Sequence, residues 1–322
     1  MNKITKVWLV IGVSLILIGS IIFVGVMTVN EWDFSKLQTN EFETNKYDII
    51  EEFRNIHILT DTADVQIVPS DAETYMVECY EQENLLHSVS VKDNTLYIEV
   101  SDTRKWYEHI GIAWTTPKIT VSVPADEYGR LFVKASTGNV SVDDSFKYES
   151  AFVSVTTGDI DYFASSTGSV DLSATTGDVY LKDVSSEGIR ITVNTGEITA
   201  ESITVNGDVE ANVSTGDTTL TDIACLNLKS NGTTGDINLN NVIASGTYIL
   251  ERTTGNVKLE ACDAKDLYIK TSTGRVSGSL KSEKEFFAQS DTGRVDVPKT
   301  ITGGRCEVTT DTGSIELTIS QG

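Results

Sequence analysis

Apolar and polar residues alternate around a glycine that recurs every 19 or 20 residues from Gly138 to Gly313. With this glycine as position zero, positions −7, −5 and −3 are mostly apolar or small, and positions +2 and +4 are apolar. Alternation with a period of two residues predicts strands with one buried face, so each repeat contains two short strands. The apolar positions are odd-numbered before the glycine and even-numbered after it. The chain therefore turns a corner at the glycine, which reaches positive φ without a Cβ clash.

The regular spacing predicts a solenoid, because repeats of about 20 to 50 residues are typical of stacked supersecondary units. One coil cannot bury its inward face alone, whereas stacked coils cover one another. We predict an all-β fold, a β-solenoid (β-helix) of about ten coils of 19–20 residues, in a rod of about 50 Å. A weaker apolar position near +7 would fill a third side of the coil, and Gly168, Gly188 and Gly207 could mark another corner.

Threonine precedes the glycine in all ten repeats. Its parity places it on the same side as the buried residues, so stacked coils would align these threonines in a ladder about 4.8 Å apart. The predicted corners are Thr137 and Gly138, Thr157 and Gly158, Thr176 and Gly177, Thr195 and Gly196, Thr215 and Gly216, Thr234 and Gly235, Thr254 and Gly255, Thr273 and Gly274, Thr292 and Gly293, and Thr312 and Gly313.

An uncharged run at residues 7–29 follows Lys3 and Lys6. As a helix it is long enough to cross a hydrocarbon core of ~30 Å. A cleaved signal peptide is the alternative, but its apolar region is usually about 7–15 residues long and ends in small residues. The run therefore favours a retained transmembrane anchor. Because Glu31 and Asp33 follow the run, we expect a single-pass protein of the cell membrane with residues 1–6 cytoplasmic and the solenoid extracellular.

The rest of the chain divides by pattern. Residues 30–50 are polar and predict an extracellular stalk that runs into the first strand. Residues 51–130 predict N-terminal capping coils, because solenoids hide their first edge with atypical coils. Within them Ala63 takes the place of the glycine in a degenerate first coil. Residues 131–322 form the repeat solenoid, and its last strand, residues 314–319, is expected at the free end, covered by its own Thr and Glu side chains or by another molecule.

Acidic residues follow the repeat glycine at Asp159, Asp178, Asp217 and Asp236. A ladder of Ca²⁺ sites is one explanation, but other repeats place Asn, Glu or Arg there, and the nine-residue calcium repeat is absent. Turn chemistry explains these residues better. A polysaccharide-acting enzyme needs acids clustered at one level of the rod, whereas these are dispersed. We predict no enzyme, no cofactor and no metal site.

The histidines and cysteines indicate structure rather than chemistry. His57 and His87 are expected on strand faces in solvent, and no histidine pair has metal-ligand spacing. Cys79, Cys225, Cys262 and Cys306 are expected to be buried free thiols. The last three are too far apart to pair, because two coils span about 10 Å, beyond the ~7 Å limit for a disulfide.

One aromatic stretch interrupts the alternation, with Trp106, Tyr107, His109 and Trp114 within nine positions. We interpret it as a flap over the apolar end of the rod. The functional alternative is a partner-binding loop, because Trp, Tyr and Arg dominate binding hot spots.

Four features together resemble the putative adhesin family of bacterial membrane-anchored β-solenoid domains of unknown function. They are the N-terminal anchor, a first strand from Ile56 to Ile67, the Val123-Pro124 closure and the serial Thr-Gly-Asp-Val/Ile units. The resemblance extends from about Ile49 to the end. It implies a β-solenoid, in many members tethered to the membrane, and no catalytic residues.

These patterns predict a non-enzymatic, membrane-anchored surface protein of the bacterial envelope, adhesin-like, with an envelope protein or wall polymer as partner. The alternatives are an accessory sensor or regulator of an envelope-stress signalling system and, third, a polysaccharide-acting enzyme. A net charge of −22 argues against nucleic acid as a partner.

Overall fold

The computed structural model describes residues 2–33, 42–71, 74–102 and 115–320. Within these ranges one helix, α1 (Lys3–Val29), precedes 29 strands. The N-terminal strands are β1 (Phe42–Ile49), β2 (Asn55–Thr60), β3 (Asp64–Pro69), β4 (Tyr75–Gln82), β5 (Leu85–Lys92), β6 (Thr95–Asp102) and β7 (Lys118–Val123).

The strands of the repeat region follow in chain order. They are β8 (Glu127–Thr137), β9 (Val140–Val142), β10 (Lys147–Thr157), β11 (Ile160–Tyr162), β12 (Ser165–Ser166), β13 (Ser169–Thr176), β14 (Val179–Lys182), β15 (Ser185–Ser186), β16 (Gly188–Thr195), β17 (Ile198–Val205), β18 (Asp208–Thr215), β19 (Thr218–Cys225), β20 (Asn227–Thr234), β21 (Ile237–Ala244), β22 (Thr247–Thr254), β23 (Val257–Cys262), β24 (Asp266–Thr273), β25 (Val276–Leu280), β26 (Lys284–Ser290), β27 (Val295–Asp296), β28 (Gly304–Thr312) and β29 (Ile315–Ile319).

Helix α1 is apolar on all sides. Asn2 caps its N-terminus, and the Asn2 side chain accepts a hydrogen bond from the Thr5 backbone N–H at 2.9 Å. The segment Ile4–Val29 is long and apolar enough to cross a membrane, and its most apolar stretch is not buried against the rest of the chain. A membrane anchor and a signal sequence both have these properties.

The repeats form a parallel β-solenoid, as predicted. Strand β10 pairs in parallel with β8 on one side and β13 on the other, so that Phe152 lies between Phe132 and Asp171. The same offset of 19 or 20 residues relates the following coils. Inward-facing residues from Phe53 to Leu317 form one continuous core. The residues near +7, among them Val184 and Ile203, are buried in that core, as predicted.

The Thr-Gly corners stack in a column, but the threonines face outward. The register pairs Thr157 with Thr176 and Thr176 with Thr195, which confirms the ladder. All ten corner threonines are exposed, so their predicted placement on the buried side is wrong. The pairing between neighbouring coils skips the residue two positions before the glycine, for example Thr156. The side chains at positions −2 and −1 both point to solvent. The alternation therefore ends before the corner, not at it.

The corner itself excludes side chains. Gly177 has φ of 137°, and a Cβ built there would lie 2.0 Å from the carbonyl oxygen of Gly158. Glycine is thus required both for its positive φ and for the close approach of the next coil.

A second corner lies at position +6 and uses residues other than glycine. Asp183, Ser202, Asp222, Asn241 and Ala261 have φ between 51° and 56°. Asp and Asn tolerate this left-handed conformation better than other L residues. The sequence placed a further corner about half a period along, at Gly168, Gly188 and Gly207, but these glycines do not have positive φ.

The last two coils stack in the reverse of their sequence order. Strands β28 and β29 pair with β24 and β25, so the coil of Gly313 lies directly on the coil of Gly274. The coil of Gly293 pairs with the outer side of the Gly313 coil. The free end is therefore the penultimate coil, not the strand at 314–319 that the sequence placed there. Cys306 and Val308, in the coil covered on both sides, are fully buried.

The N-terminal end shows the same reversal. Strands β2 and β3 are joined by the turn in which Ala63 replaces the glycine. They pair with β8 and β9 on one side and with β6 and β7 on the other. Antiparallel strands complete the cap: β4 pairs with β1 and β7, and β5 pairs with β6. Strand β1 comes from the segment interpreted as a stalk.

Candidate interaction surface and buried cluster

One outward-facing row of side chains, called here the outer row, runs along the stack. Its members are Cα partners in the parallel register, so neighbouring residues are about 4.8 Å apart. In spatial order they are Tyr97, His57, Phe132, Phe152, Asp171, Arg190, Glu210, Lys229, Ile249, Tyr268, Glu307 and Phe287.

Four rings of the outer row stack near the cap. The His57 ring lies 5.2 Å from Tyr97 and 4.6 Å from Phe132, and Phe132 stacks on Phe152 at 5.1 Å. The Arg130 guanidinium lies 5.4 Å from the centre of the Phe132 ring. A groove of ≈ 350 Å³ lies beside these rings. Burial lowers the pKa of His57, so the imidazole is neutral at neutral pH and stacks as an aromatic ring.

The opposite end of the outer row is also apolar. Ile249, Tyr268 and Phe287 are 37%, 39% and 41% exposed. The guanidinium of Arg305 lies 4.2 Å from the centre of the Phe287 ring and forms an ion pair with Glu307 at 2.8 Å. Exposed aromatic and arginine side chains of this kind are typical of binding hot spots.

The middle of the outer row carries opposite charges. Glu210 pairs with Arg190 at 3.1 Å and with Lys229 at 3.4 Å. A hydrogen bond from Asn212, followed by the charges of Lys229 and Arg190, holds the pKa of Glu210 below its usual range. Grooves of ≈ 310 Å³ and ≈ 390 Å³ lie on either side of this group. The outer row therefore offers mixed charge flanked by apolar ends.

The acidic residues after the repeat glycines act as inter-coil acceptors. Oδ1 of Asp159 accepts a hydrogen bond from the Asp178 backbone N–H at 2.8 Å, and Oδ1 of Asp178 accepts one from Glu197. The same bond recurs at both ends of the column, beginning at Asp64. Arg275 follows the last of these acceptors and has no acceptor atom in its side chain. This ladder gives the turn residues predicted from sequence a specific structural role.

A buried polar cluster lies inside the N-terminal cap. His87 Nδ1 lies 2.7 Å from Glu81 Oε2, and His87 Nε2 lies 2.9 Å from the Thr60 hydroxyl. The Asn45 side-chain amide donates to Glu81 Oε1 at 2.9 Å. The Cys79 thiol belongs to the same cluster, within 4.8 Å of the Glu81 and His87 ligand atoms.

The environment of the cluster shifts its acidities. Burial alone would raise the pKa of Glu81, but hydrogen bonds from His87 and Asn45 hold it below its usual range. Burial raises the pKa of the Cys79 thiol to about 12.

The prediction that His87 lies in solvent is wrong, because His87 is only 4% exposed. It shares the inward-facing parity of Leu85 on β5, just as Glu81 shares that of Val77 and Cys79 on β4. If the alternation of inward and outward positions had been extended through the polar residues of β4 and β5, it would have predicted that Glu81 and His87 point inward. His57 is half-buried in the aromatic stack rather than free in solvent.

Of the sequence-predicted candidates, all four cysteines are buried free thiols, as predicted. Trp106, Tyr107, His109 and Trp114 lie outside the described residues.

The geometry defines the class of protein: a parallel β-solenoid with an apolar N-terminal helix. The family model described as Toastrack DUF4097 matches residues 53–213 and 196–321, and the chain belongs to that family. The resemblance to a family of β-solenoid domains of unknown function is thereby confirmed. No curated protein matches the chain.

Several solved structures are similar at low identity. A putative adhesin from Bacteroides fragilis is 13% identical, with 87% of this chain and 99% of that chain covered and a TM-score of 0.39. A putative lipid binding protein from Parabacteroides distasonis and a putative adhesin from Parabacteroides merdae are each 14% identical, with 87% and 98% covered and TM-scores of 0.41. Likeness at this level carries no inference about function.

Proposed function

We propose that the protein is a non-enzymatic, membrane-anchored rod that presents its outer row to another component of the bacterial cell envelope. Helix α1 is the observation that carries the proposal. The most apolar part of its segment Ile4–Val29 is not buried against the solenoid. A helix that is apolar on all sides needs a protein interior or a bilayer around it, and the bilayer is the environment that its length fits.

The charges at the two ends of α1 support an orientation. Lys3 and Lys6 precede its uncharged run at residues 7–29, and Glu31 and Asp33 follow the run. By the positive-inside rule, we expect the N-terminus in the cytoplasm and the solenoid outside the cell. The solenoid then stands on the membrane with its outer row facing the surroundings.

The outer row supports the proposed binding role. Its tyrosine and arginine positions are residue types that dominate protein–protein hot spots. The acidic residues at the corners already accept inter-coil hydrogen bonds, which is a structural use of side chains that could otherwise suggest catalysis. The partner we propose is an envelope protein or a wall polymer, bound without a cofactor, and not a nucleic acid, because the chain is strongly acidic.

Cysteine labelling in cells tests the anchor and its orientation. The four native cysteines are buried and serve as a low-background control. A membrane-impermeant maleimide is expected to label Thr254→Cys, at an exposed corner, in intact cells. Thr5→Cys, before the apolar run, is expected to react only after permeabilisation. Recovery of a soluble chain that has lost α1 would show a cleaved signal sequence and overturn the anchor.

A further inference from the structure

We propose that Cys79, Glu81 and His87 bind a Zn²⁺ ion inside the N-terminal cap. Their ligand atoms all lie within 4.8 Å of one another, and all three residues are buried. A thiolate, a carboxylate and an imidazole are ligands that Zn²⁺ takes in proteins. The inference does not depend on the proposed function, because the cluster lies inside the cap and the outer row faces solvent.

The strand geometry brings the three side chains together. Cys79 and Glu81 are two residues apart on β4, so both point inward. Strand β5 follows β4 through a short turn, and His87 points inward from it. Ligands carried on paired strands are held more precisely than ligands on loops.

Further side chains already orient two of the ligands. The Asn45 amide holds Glu81 Oε1 at 2.9 Å and leaves Oε2 directed at His87. The Thr60 hydroxyl holds His87 Nε2 at 2.9 Å, which leaves Nδ1 on the side of Glu81. Metal-binding histidines usually engage their second ring nitrogen in this way, and the outer partners are important for affinity.

The charges and distances are compatible with the ion. One thiolate and one carboxylate balance the charge of Zn²⁺, so the buried site is neutral once the Cys79 thiol proton has passed to solvent. Tetrahedral Zn²⁺ separates its ligand atoms by about 3.3–3.7 Å. The Nδ1–Oε2 pair at 2.7 Å must therefore open by about 0.6 Å. A pair at the 4.8 Å limit of the cluster would close by about 1.1–1.5 Å. Three protein ligands leave the fourth position to a water molecule.

The same residues contain a hydroxyl–imidazole–carboxylate relay, Thr60–His87–Glu81, with the connectivity of a hydrolytic triad. The relay does not fit catalysis, because Thr60 is only 6% exposed and a substrate carbonyl would have to reach its hydroxyl. A metal ion needs far less space than a substrate. Zinc binding therefore agrees better with the burial of the cluster.

Metal analysis of the full-length chain in detergent tests the inference. We expect the metal-stripped protein to take up one equivalent of Zn²⁺. Added Co²⁺ is expected to give the thiolate-to-cobalt charge-transfer absorption that requires a cysteine ligand. We expect Cys79→Ala and His87→Gln to lower the affinity at least 100-fold, and Thr60→Val to lower it about 10- to 100-fold through the orientation of the imidazole.

Cys262→Ala is the matched control, because Cys262 is also a buried free thiol but hydrogen-bonds to the backbone oxygens of Leu239 and Glu260. It is expected to bind Zn²⁺ like the wild type. The cobalt spectrum is recorded on the wild type, so it decides the question even where a variant fails to fold. Absence of the charge-transfer band, or zinc binding unchanged in a folded Cys79→Ala protein, would overturn the site.

Discussion

Gly313 stacks directly on Gly274, although Gly293 lies between them in the sequence. A Cβ built on Gly313 would lie 2.0 Å from the Gly274 carbonyl oxygen, and one built on Gly293 would lie 1.7 Å from that of Gly313. The final coil is thus enclosed between two earlier ones and buries its inward residues from both sides. The order is also reversed at the opposite end, where the outermost coil, formed by β6 and β7, comes later in sequence than the coil of β2 and β3 that it covers.

Engineered disulfides test this order of coils. Thr273 and Thr312 are Cα partners on adjacent parallel strands, about 4.8 Å apart, which suits a disulfide. We expect the Thr273→Cys/Thr312→Cys pair to oxidise readily, as seen by a mass shift after thiol alkylation. Thr273→Cys/Thr292→Cys is the control and is expected to remain reduced, because a full coil separates the two residues. The opposite result would mean that the coils stack in sequence order.

The corner ladder predicts different effects for two substitutions of one residue. Asp178→Ala removes the acceptor of the Glu197 N–H and is expected to lower the free energy of unfolding by about 0.5–1.5 kcal/mol. Asp178→Asn keeps Oδ1 and removes a negative charge between Asp159 and Glu197, so it should be at least as stable as the wild type. Chemical denaturation of the three proteins measures the difference. Equal loss in both variants would mean that charge, not the hydrogen bond, is what matters.

The second corner predicts a stabilising change. Ala261 has φ of 51°, which an L residue adopts only at a cost. Glycine adopts positive φ without this cost, but it loses more conformational entropy on folding than alanine does. With that loss subtracted, we expect Ala261→Gly to raise the free energy of unfolding by about 0.5–1 kcal/mol. Ala264→Gly is the control, because Ala264 is buried and does not have positive φ. It should destabilise the protein, and stabilisation by both changes would contradict the role assigned to φ.

A buried arginine offers a double-mutant test. Arg252 is 3% exposed and lies beside Gly232, where a Cβ would be 2.3 Å from its Nη1. It donates to the Thr218 hydroxyl at 2.7 Å and to the Gly235 carbonyl oxygen. Burial lowers the pKa of Arg252 to about 10, so it stays charged at neutral pH.

Arg252→Met leaves the buried Thr218 hydroxyl without this donor and is expected to cost about 1–3 kcal/mol of stability. Adding Thr218→Val removes the unpaired hydroxyl, and the double variant should recover most of the loss. Thermal denaturation of the four proteins of the cycle gives the coupling. Strictly additive losses would show that the hydroxyl is not the reason for the cost.

The sequence predicted the coils because their apolar alternation is local and repeats without change. Extending this alternation to the corner threonines gave a wrong prediction, because the residue at position −2 is skipped in the pairing between coils and the alternation stops there. The reversed order at both ends could not be predicted, because every coil presents the same corner to its neighbours and the pattern does not say which coil stacks on which. The corner at Ala261 was missed because alanine carries no sign of positive φ.

The candidate sites were harder to predict than the fold. His87 and Glu81 lie at inward parity on β5 and β4, but the polar character of His87 suggested solvent, and Glu81 was not considered as a site residue. Their burial is possible only because they pair with each other across two strands. The outer row depends on the register between coils, and its stack of His57 with Phe132 joins residues far apart in sequence.

Photo-crosslinking along the outer row in intact cells tests the central claim most directly. A photoreactive amino acid replaces Ile249, which is exposed in the outer row, or Lys258, which is exposed on the strand beyond the next Thr-Gly corner and serves as the control. The crosslinking is repeated for both variants in a chain that also carries Trp106→Ala/Trp114→Ala, which tests the alternative partner-binding loop.

We predict crosslinks to an envelope protein or wall polymer from position 249, much weaker crosslinks from position 258, and no change with the double substitution. Equal crosslinking from both positions, or none from position 249, would contradict the outer row as the binding surface. Capture of a membrane sensor that disappears with the double substitution would favour the accessory role in envelope-stress signalling instead.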